Sequence, residues 1–188
     1  MKRGRPLTKQ EVIKVSKNFK NIRDKSIFLF GINTGGRISE LMSLQVKDVW
    51  NNGKVRNVVA FPEGKSVART VPLNDDAKKA VCQAIEFIKQ WRTLTLDCPL
   101  FPSAVEIKNP QPLHRVSAYR ILSEAYDKAG LDGIVNAHSM RHTFATMIFE
   151  NSNIFITQDL LGHVSPAGTV YYVDYIVTER DKKQAVKF

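Results

Sequence analysis

Thr34-Gly35-Gly36-Arg37-Ile38-Ser39-Glu40-Leu41 is the stretch on which the reading of this chain turns. Two glycines let the backbone turn sharply between an apolar segment and a new helix that starts near Arg37. Arg37 and Glu40 are three positions apart, which sets them side by side on one face of that helix, while Ile38, Leu41 and Leu44 take the buried side.

Working upstream, Thr8 and Glu11 have capping-box spacing and open a first helix through Val12, Ile13, Val15 and Phe19. A second helix is predicted from about Arg23 to Asn33, with Ile27, Phe28, Phe30 and Gly31 inward and Gly35-Gly36 as its stop. Downstream, Val46 to Pro72 changes to β-branched residues broken at Asn51-Asn52-Gly53 and Pro62-Glu63-Gly64, the pattern of a short antiparallel sheet with tight turns. Ala80, Val81, Ala84, Ile85, Ile88 and Trp91 then recur at helical spacing over Asn74 to Arg92. Leu100 to Pro112 reads as a connecting loop, and Arg115 to Ala129 as a helix closed by Gly130.

The helix expected from about Ser139 to Asn151 sets Met140, Phe144 and Met147 on one side and His138, Arg141 and His142 on the other. Ile154 to Leu161 forms a short helix ending at Gly162, and Ser165-Pro166 restarts a last helix carrying Tyr171, Tyr172 and Tyr175. The expected fold class is therefore mainly α with a small antiparallel β-sheet, an α+β domain.

Composition narrows the partners. The net charge is +10, and residues 1–25 hold nine Lys or Arg against Glu11 and Asp24. A basic leading segment suits a polyanion, of which nucleic acid is the commonest. Cys82 and Cys98 lack metal-ligand spacing and read as free thiols of a reducing compartment. No apolar run approaches a membrane span and no secretion-type leader follows Met1, so a cytoplasmic protein is expected.

His138-Ser139-Met140-Arg141-His142, Leu161-Gly162-His163 and Tyr172, nine residues beyond His163, complete the set begun at Arg37. Guanidinium and imidazole donors stabilise the charge that a phosphoryl transfer spreads over non-bridging oxygens, and a tyrosine can hold the phosphoryl covalently. In order and spacing these strings resemble the tyrosine recombinase (phage integrase) family over roughly residues 7 to 175.

That resemblance implies a catalytic set of Arg37, Lys65, His138, Arg141, His163 and Tyr172, with Glu40 and His142 in support. Arg37 and Arg141 would clamp the phosphate, and His138 would act with them and shuttle the nucleophile's proton. The family's spacing, with Thr169 three residues ahead, selects Tyr172 over Tyr171 and Tyr175. Gly168 departs from the threonine common there. Lys65, ahead of Arg69-Thr70-Val71-Pro72-Leu73, resembles the hairpin lysine that serves as general acid, with Lys54 as the fallback.

Arg3-Gly4-Arg5-Pro6 resembles the core of an AT-hook, so Arg3 and Arg5 are expected on DNA, as is Arg69 on the last strand of the sheet. The resemblance further implies double-stranded DNA with specific recombination sites, a homotetramer on it, a possible accessory DNA-bending protein, and a nucleoid-associated location. It implies no cofactor and no metal. The expected division is a basic tail over 1–7, a catalytic domain over 8–177 and a tail over 178–188 exchanged between protomers. Many integrases carry a DNA-clamping domain ahead of the catalytic one; the short lead before Arg37 is expected in a small invertase-like member or a catalytic fragment. The rivals are a catalytically silent DNA-binding protein of the same fold and a type IB topoisomerase-like enzyme.

Overall fold

A computed structural model describes residues 4–64, 67–103 and 110–163. The elements run α1 (Lys9–Ser16), α2 (Ile22–Thr34), α3 (Ile38–Ser43), α4 (Val46–Val49), β1 (Trp50–Asn51), β2 (Lys54–Val55), β3 (Val58–Phe61), β4 (Arg69–Pro72), α5 (Asp75–Lys89), α6 (Arg115–Ala129), α7 (His138–Asn151) and α8 (Ile154–Leu161). The mainly helical architecture with small antiparallel sheets is as expected.

Helix α2 is the centre. It packs against α5 on one side and α7 on the other, and Phe28 and Phe30 on it are fully buried. Asn21 caps its start by accepting from the Asp24 backbone, and Gly35 ends it in the left-handed region at φ 64°. Thr8 and Glu11 form the expected capping box on α1. Helix α6 closes at Gly130, also left-handed, and packs on α1 and α3.

The sheet differs from its expectation. Val46–Val49 is a helical turn rather than a strand. Asp48 accepts from the Gln45 backbone at 2.8 Å, and Val46 and Val49, three apart, are both fully buried; a cap and two burials outweigh strand propensity here. Two separate ribbons follow. Strand β1 pairs with β2 across the Asn52-Gly53 turn. Strand β3 pairs with β4 in the register Val58 to Pro72 and Phe61 to Arg69, and their link spans 62–68 rather than a tight turn at Pro62-Glu63-Gly64.

Helix α5 stops at Lys89, so Trp91 falls beyond it and is 59% exposed instead of continuing the buried stripe. Leu100 and Phe101, expected in a plain loop, are core residues, and their segment bridges Gln45 to Pro99 and Pro102 to Pro112. Cys82 is exposed and Cys98 buried, both free thiols.

Residues 4–8 form a strap over α7. The Arg5 backbone donates to the Ile134 carbonyl at 2.8 Å, and the Leu7 backbone donates to Thr143 Oγ1 at 2.9 Å. The Arg5 guanidinium donates to the Glu11 carboxylate and to the carbonyls of Asp132 and Pro6. The Arg5 side chain is folded onto the protein. Arg3, the other arginine of the AT-hook-like string, lies outside the described residues.

Candidate active site

Arg37 occupies the N-cap of α3 rather than its first helical position, with extended backbone. Glu40 reaches back one turn: Oε2 accepts from the Arg37 backbone N–H at 2.6 Å, and Oε1 accepts from Arg37 Nη1 at 3.2 Å. The Arg37 side chain is thus held at its base while 21% of it stays open to solvent.

Glu40 has a second cation. Arg69, at the start of β4, donates Nη1 to Oε1 at 3.0 Å and Nη2 to Oε2 at 2.8 Å, and its guanidinium lies over the Phe61 ring at 4.6 Å. Only 2% of the Arg69 side chain is exposed. Burial pushes the Glu40 carboxyl upward, but the Arg69 hydrogen bonds, the Arg37 backbone N–H and both positive charges together hold it below the usual carboxylate range. Glu40 is therefore ionised.

Arg141, on α7, joins the two remaining strings. Nη1 donates to the Gly35 carbonyl at 2.9 Å, and Nη2 donates to the Leu161 carbonyl. Gly35 ends α2 and Leu161 is the last residue of α8, so one guanidinium closes two helix C-termini, where cations are favoured. Arg37 emerges from the first of these ends and His163 from the second. Arg141 is 3% exposed, and the first turns of α7, from Ser139 to Ala145, are buried all round instead of on one side. His142 is buried within this run.

His138 opens α7 with its backbone N–H donating to Asn136 Oδ1 at 2.9 Å. Packing around the ring first, and then the charges on Arg141 and Arg37, lower its pKa. His163 follows the left-handed Gly162 at φ 63°. Partial burial first, and then Arg141, Arg37 and Arg69, push its pKa down to about 4. Both imidazoles are neutral near pH 7, each with one donor and one acceptor nitrogen.

His163, Gly162, Asp159, Gln158 and Phe155 line a cavity of about 300 Å³ whose opposite wall is Val67 and Ala68, leading into Arg69. The Val67 N–H donates to the Gly162 carbonyl at 3.2 Å, which ties the β3–β4 link to the end of α8. Arg37, Glu40, Arg69, His138, Arg141 and His163 thus come together. Lys65 and Tyr172 lie outside the described residues. Among the described residues there is no group of three or more His, Cys, Asp or Glu that could hold a metal ion, and no helix long and apolar enough to cross a membrane.

The phage integrase family model matches residues 5–178. The chain belongs to the phage integrase family. It is 31% identical to the probable integrase/recombinase YoeC of Bacillus subtilis over 172 residues, covering 89% of this chain and 88% of that protein. It is 34% identical to the tyrosine recombinase XerA of Pyrococcus furiosus over 184 residues, covering 96% of this chain and 60% of that one. Against the tyrosine recombinase XerD of Corynebacterium glutamicum, at 32% identity over 81% of this chain, it spans 48% of the relative's length.

Among solved structures the integrase fold is matched by XerA recombinase at TM-score 0.76 and 24% identity, covering 96% of this chain and 63% of that one. A lambda integrase tetramer bound to a Holliday junction matches at TM-score 0.72 and 19% identity, covering 92% and 48%.

Proposed function

We propose that this chain is a site-specific DNA recombinase that cuts and rejoins DNA through a 3'-phosphotyrosyl intermediate at Tyr172. The observation that carries this reading is the placement of Arg37 and His163 at two helix ends closed by the single guanidinium of Arg141. A cluster of fixed cations suits the negative charge that develops on a phosphodiester's non-bridging oxygens. Membership of the phage integrase family supports the same reading.

In the proposed reaction Tyr172 Oη bonds to the scissile phosphorus as the bond to the 5'-oxygen breaks. His138, neutral and therefore able to accept, takes the phenolic proton. Lys65 gives a proton to the leaving 5'-oxygen. Arg37 and Arg141 hold the non-bridging oxygens, and neutral His163 donates a hydrogen bond to one of them. A 5'-hydroxyl from a partner duplex then attacks the phosphotyrosine, frees Tyr172 and restores a phosphodiester, so the bond energy is carried by the covalent link. Four protomers on two duplexes, with an accessory DNA-bending protein where the site needs one, complete the proposed assembly in the cytoplasm at the nucleoid.

A suicide DNA substrate nicked beside the crossover tests this. Wild type is expected to trap a covalent protein–DNA complex and Tyr172→Phe to trap none. A complex that persists in Tyr172→Phe, mapped to Tyr171 or Tyr175, would overturn the choice of nucleophile. Absence of any complex in the wild type across matched sites would overturn the recombinase reading.

A further inference from the structure

Arg69 is unusual on energetic grounds. It stands at an inward position of β4, alternating with buried Val71 and facing Phe61 across the ribbon, where a leucine would serve packing alone. Its guanidinium is almost wholly buried, and its Nε has no hydrogen-bond partner among the described residues. Burying a charge with one donor unsatisfied is costly, and ion pairs in such places seldom repay their desolvation. Stability is therefore a poor reason for an arginine here.

What the arginine does is divide Glu40. The carboxylate spends both oxygens on the Arg69 fork while also accepting from the Arg37 backbone and from Arg37 Nη1. Without Arg69, Glu40 could turn both oxygens onto the Arg37 guanidinium; with Arg69, one carboxylate is shared and Arg37 keeps its direction. We propose that Arg69 is a positioning residue of the phosphate site, fixing Glu40 so that Arg37 stays aimed, and contributing its own positive field at His163. This rests on the recombinase reading and extends it to Arg69.

The test is single-turnover formation of the covalent complex on the nicked substrate, with DNA affinity measured alongside, for wild type, Arg69→Met, Arg69→Lys, Glu40→Gln and the Arg69→Met, Glu40→Gln double variant. Arg69→Met is expected to slow cleavage by about 30-fold or more, the scale for breaking a buried hydrogen-bonded ion pair, with Kd for DNA within about threefold of wild type. It should add little to Glu40→Gln, because both act on one unit. Arg69→Lys keeps the charge but not the fork and should recover only part of the rate.

NMR titration of His163 separates charge from geometry. The groups that bear on this imidazole are Arg37, Arg69 and Arg141, with Asp159 in the same cavity wall. Its pKa should rise in Arg69→Met and stay near the wild-type value in Arg69→Lys.

The proposal is overturned if Arg69→Met cleaves at the wild-type rate, if its loss appears wholly in Kd, or if its effect is additive with Glu40→Gln. Should Arg69→Met fail to fold, a folded Arg69→Lys with wild-type cleavage overturns it equally. A wild type that forms no complex sinks the recombinase reading instead, and the His163 titration then decides alone for Arg69: an unchanged pKa in the folded Met variant rejects it.

Discussion

Arg141 and Gly35 lie 106 residues apart and are joined by a 2.9 Å hydrogen bond that closes the C-terminal end of α2 immediately before Arg37. The same guanidinium holds Leu161 before His163. Position and chemistry therefore depend on one side chain. Arg141→Ala leaves two carbonyls without their donor and should cost about 2–5 kcal/mol of stability. Arg141→Lys keeps the charge but cannot span both carbonyls with a planar fork, and should cost about 2 kcal/mol. Chemical denaturation checks both; a lysine variant as stable as wild type would show that the double closure contributes nothing.

Gly35 offers a sharper test of the same corner. It has φ 64°, and a Cβ there would sit 2.4 Å from Cδ1 of the buried Phe144 ring. Gly130 has φ 54° with open space around it. Gly130→Ala should cost about 1 kcal/mol, from the left-handed backbone alone. Gly35→Ala meets the ring as well and should cost roughly 3 kcal/mol or more. Equal losses in urea unfolding would mean that Phe144 yields without penalty.

Acid should weaken the fold through His163. Its pKa is about 4 in the native state against 6.5 for an ordinary histidine, so between these values the unfolded chain binds a proton that the native chain does not. Stability is accordingly lost as pH falls from about 6.5 towards 4. Glu11, held near 2, with the Arg5 hydrogen bond outweighing a partial burial that works the other way, acts in a lower window: its contribution is complete above 4.5 and disappears as pH falls towards 2. Unfolding free energies at pH 7.5 and pH 5 separate the lowered histidines, His163 and His138, from Glu11. The decline should be smaller in His163→Gln, and an identical decline in both proteins would contradict the burial and cation effects described.

The Arg5 strap makes a prediction that distinguishes a structural arginine from a DNA contact. Arg5→Ala should lower stability by about 1 kcal/mol, the scale of a part-buried ion pair with added carbonyl bonds. The slope of log Kd for DNA against log salt should not change. A slope reduced by about one would return Arg5 to the phosphate backbone.

Much of this was legible from residue order, for physical reasons that can be named. Helices α6 and α8 fall where periodicity and a closing glycine set them, since Gly130 and Gly162 take the left-handed caps their positions require. The Arg37, Arg141 and His163 strings do gather. Arg69 is buried because alternation along Arg69-Thr70-Val71-Pro72 puts it on the same face as Val71. Strand parity outranked residue type, and that signal was present. The double closure by Arg141 was not legible, because nothing local in His138 to His142 says which distant carbonyls it meets. The Val46–Val49 turn was hidden by β-branched residues whose burial three apart, not their propensity, decides their conformation.

The long-range character of these bonds has a consequence for synthesis. Arg37 leaves the ribosome early, whereas the groups that aim and enclose it, Arg69, Arg141 and the end of α8, follow about thirty, one hundred and one hundred and twenty residues later, as the bonds joining Arg69 to Glu40, Arg141 to Gly35 and Arg141 to Leu161 require. A nascent or truncated chain ending before α7 has its first arginine but no enclosure around it. The corner around Arg37 is thereby closed only once the chain as far as α8 has been made and folded.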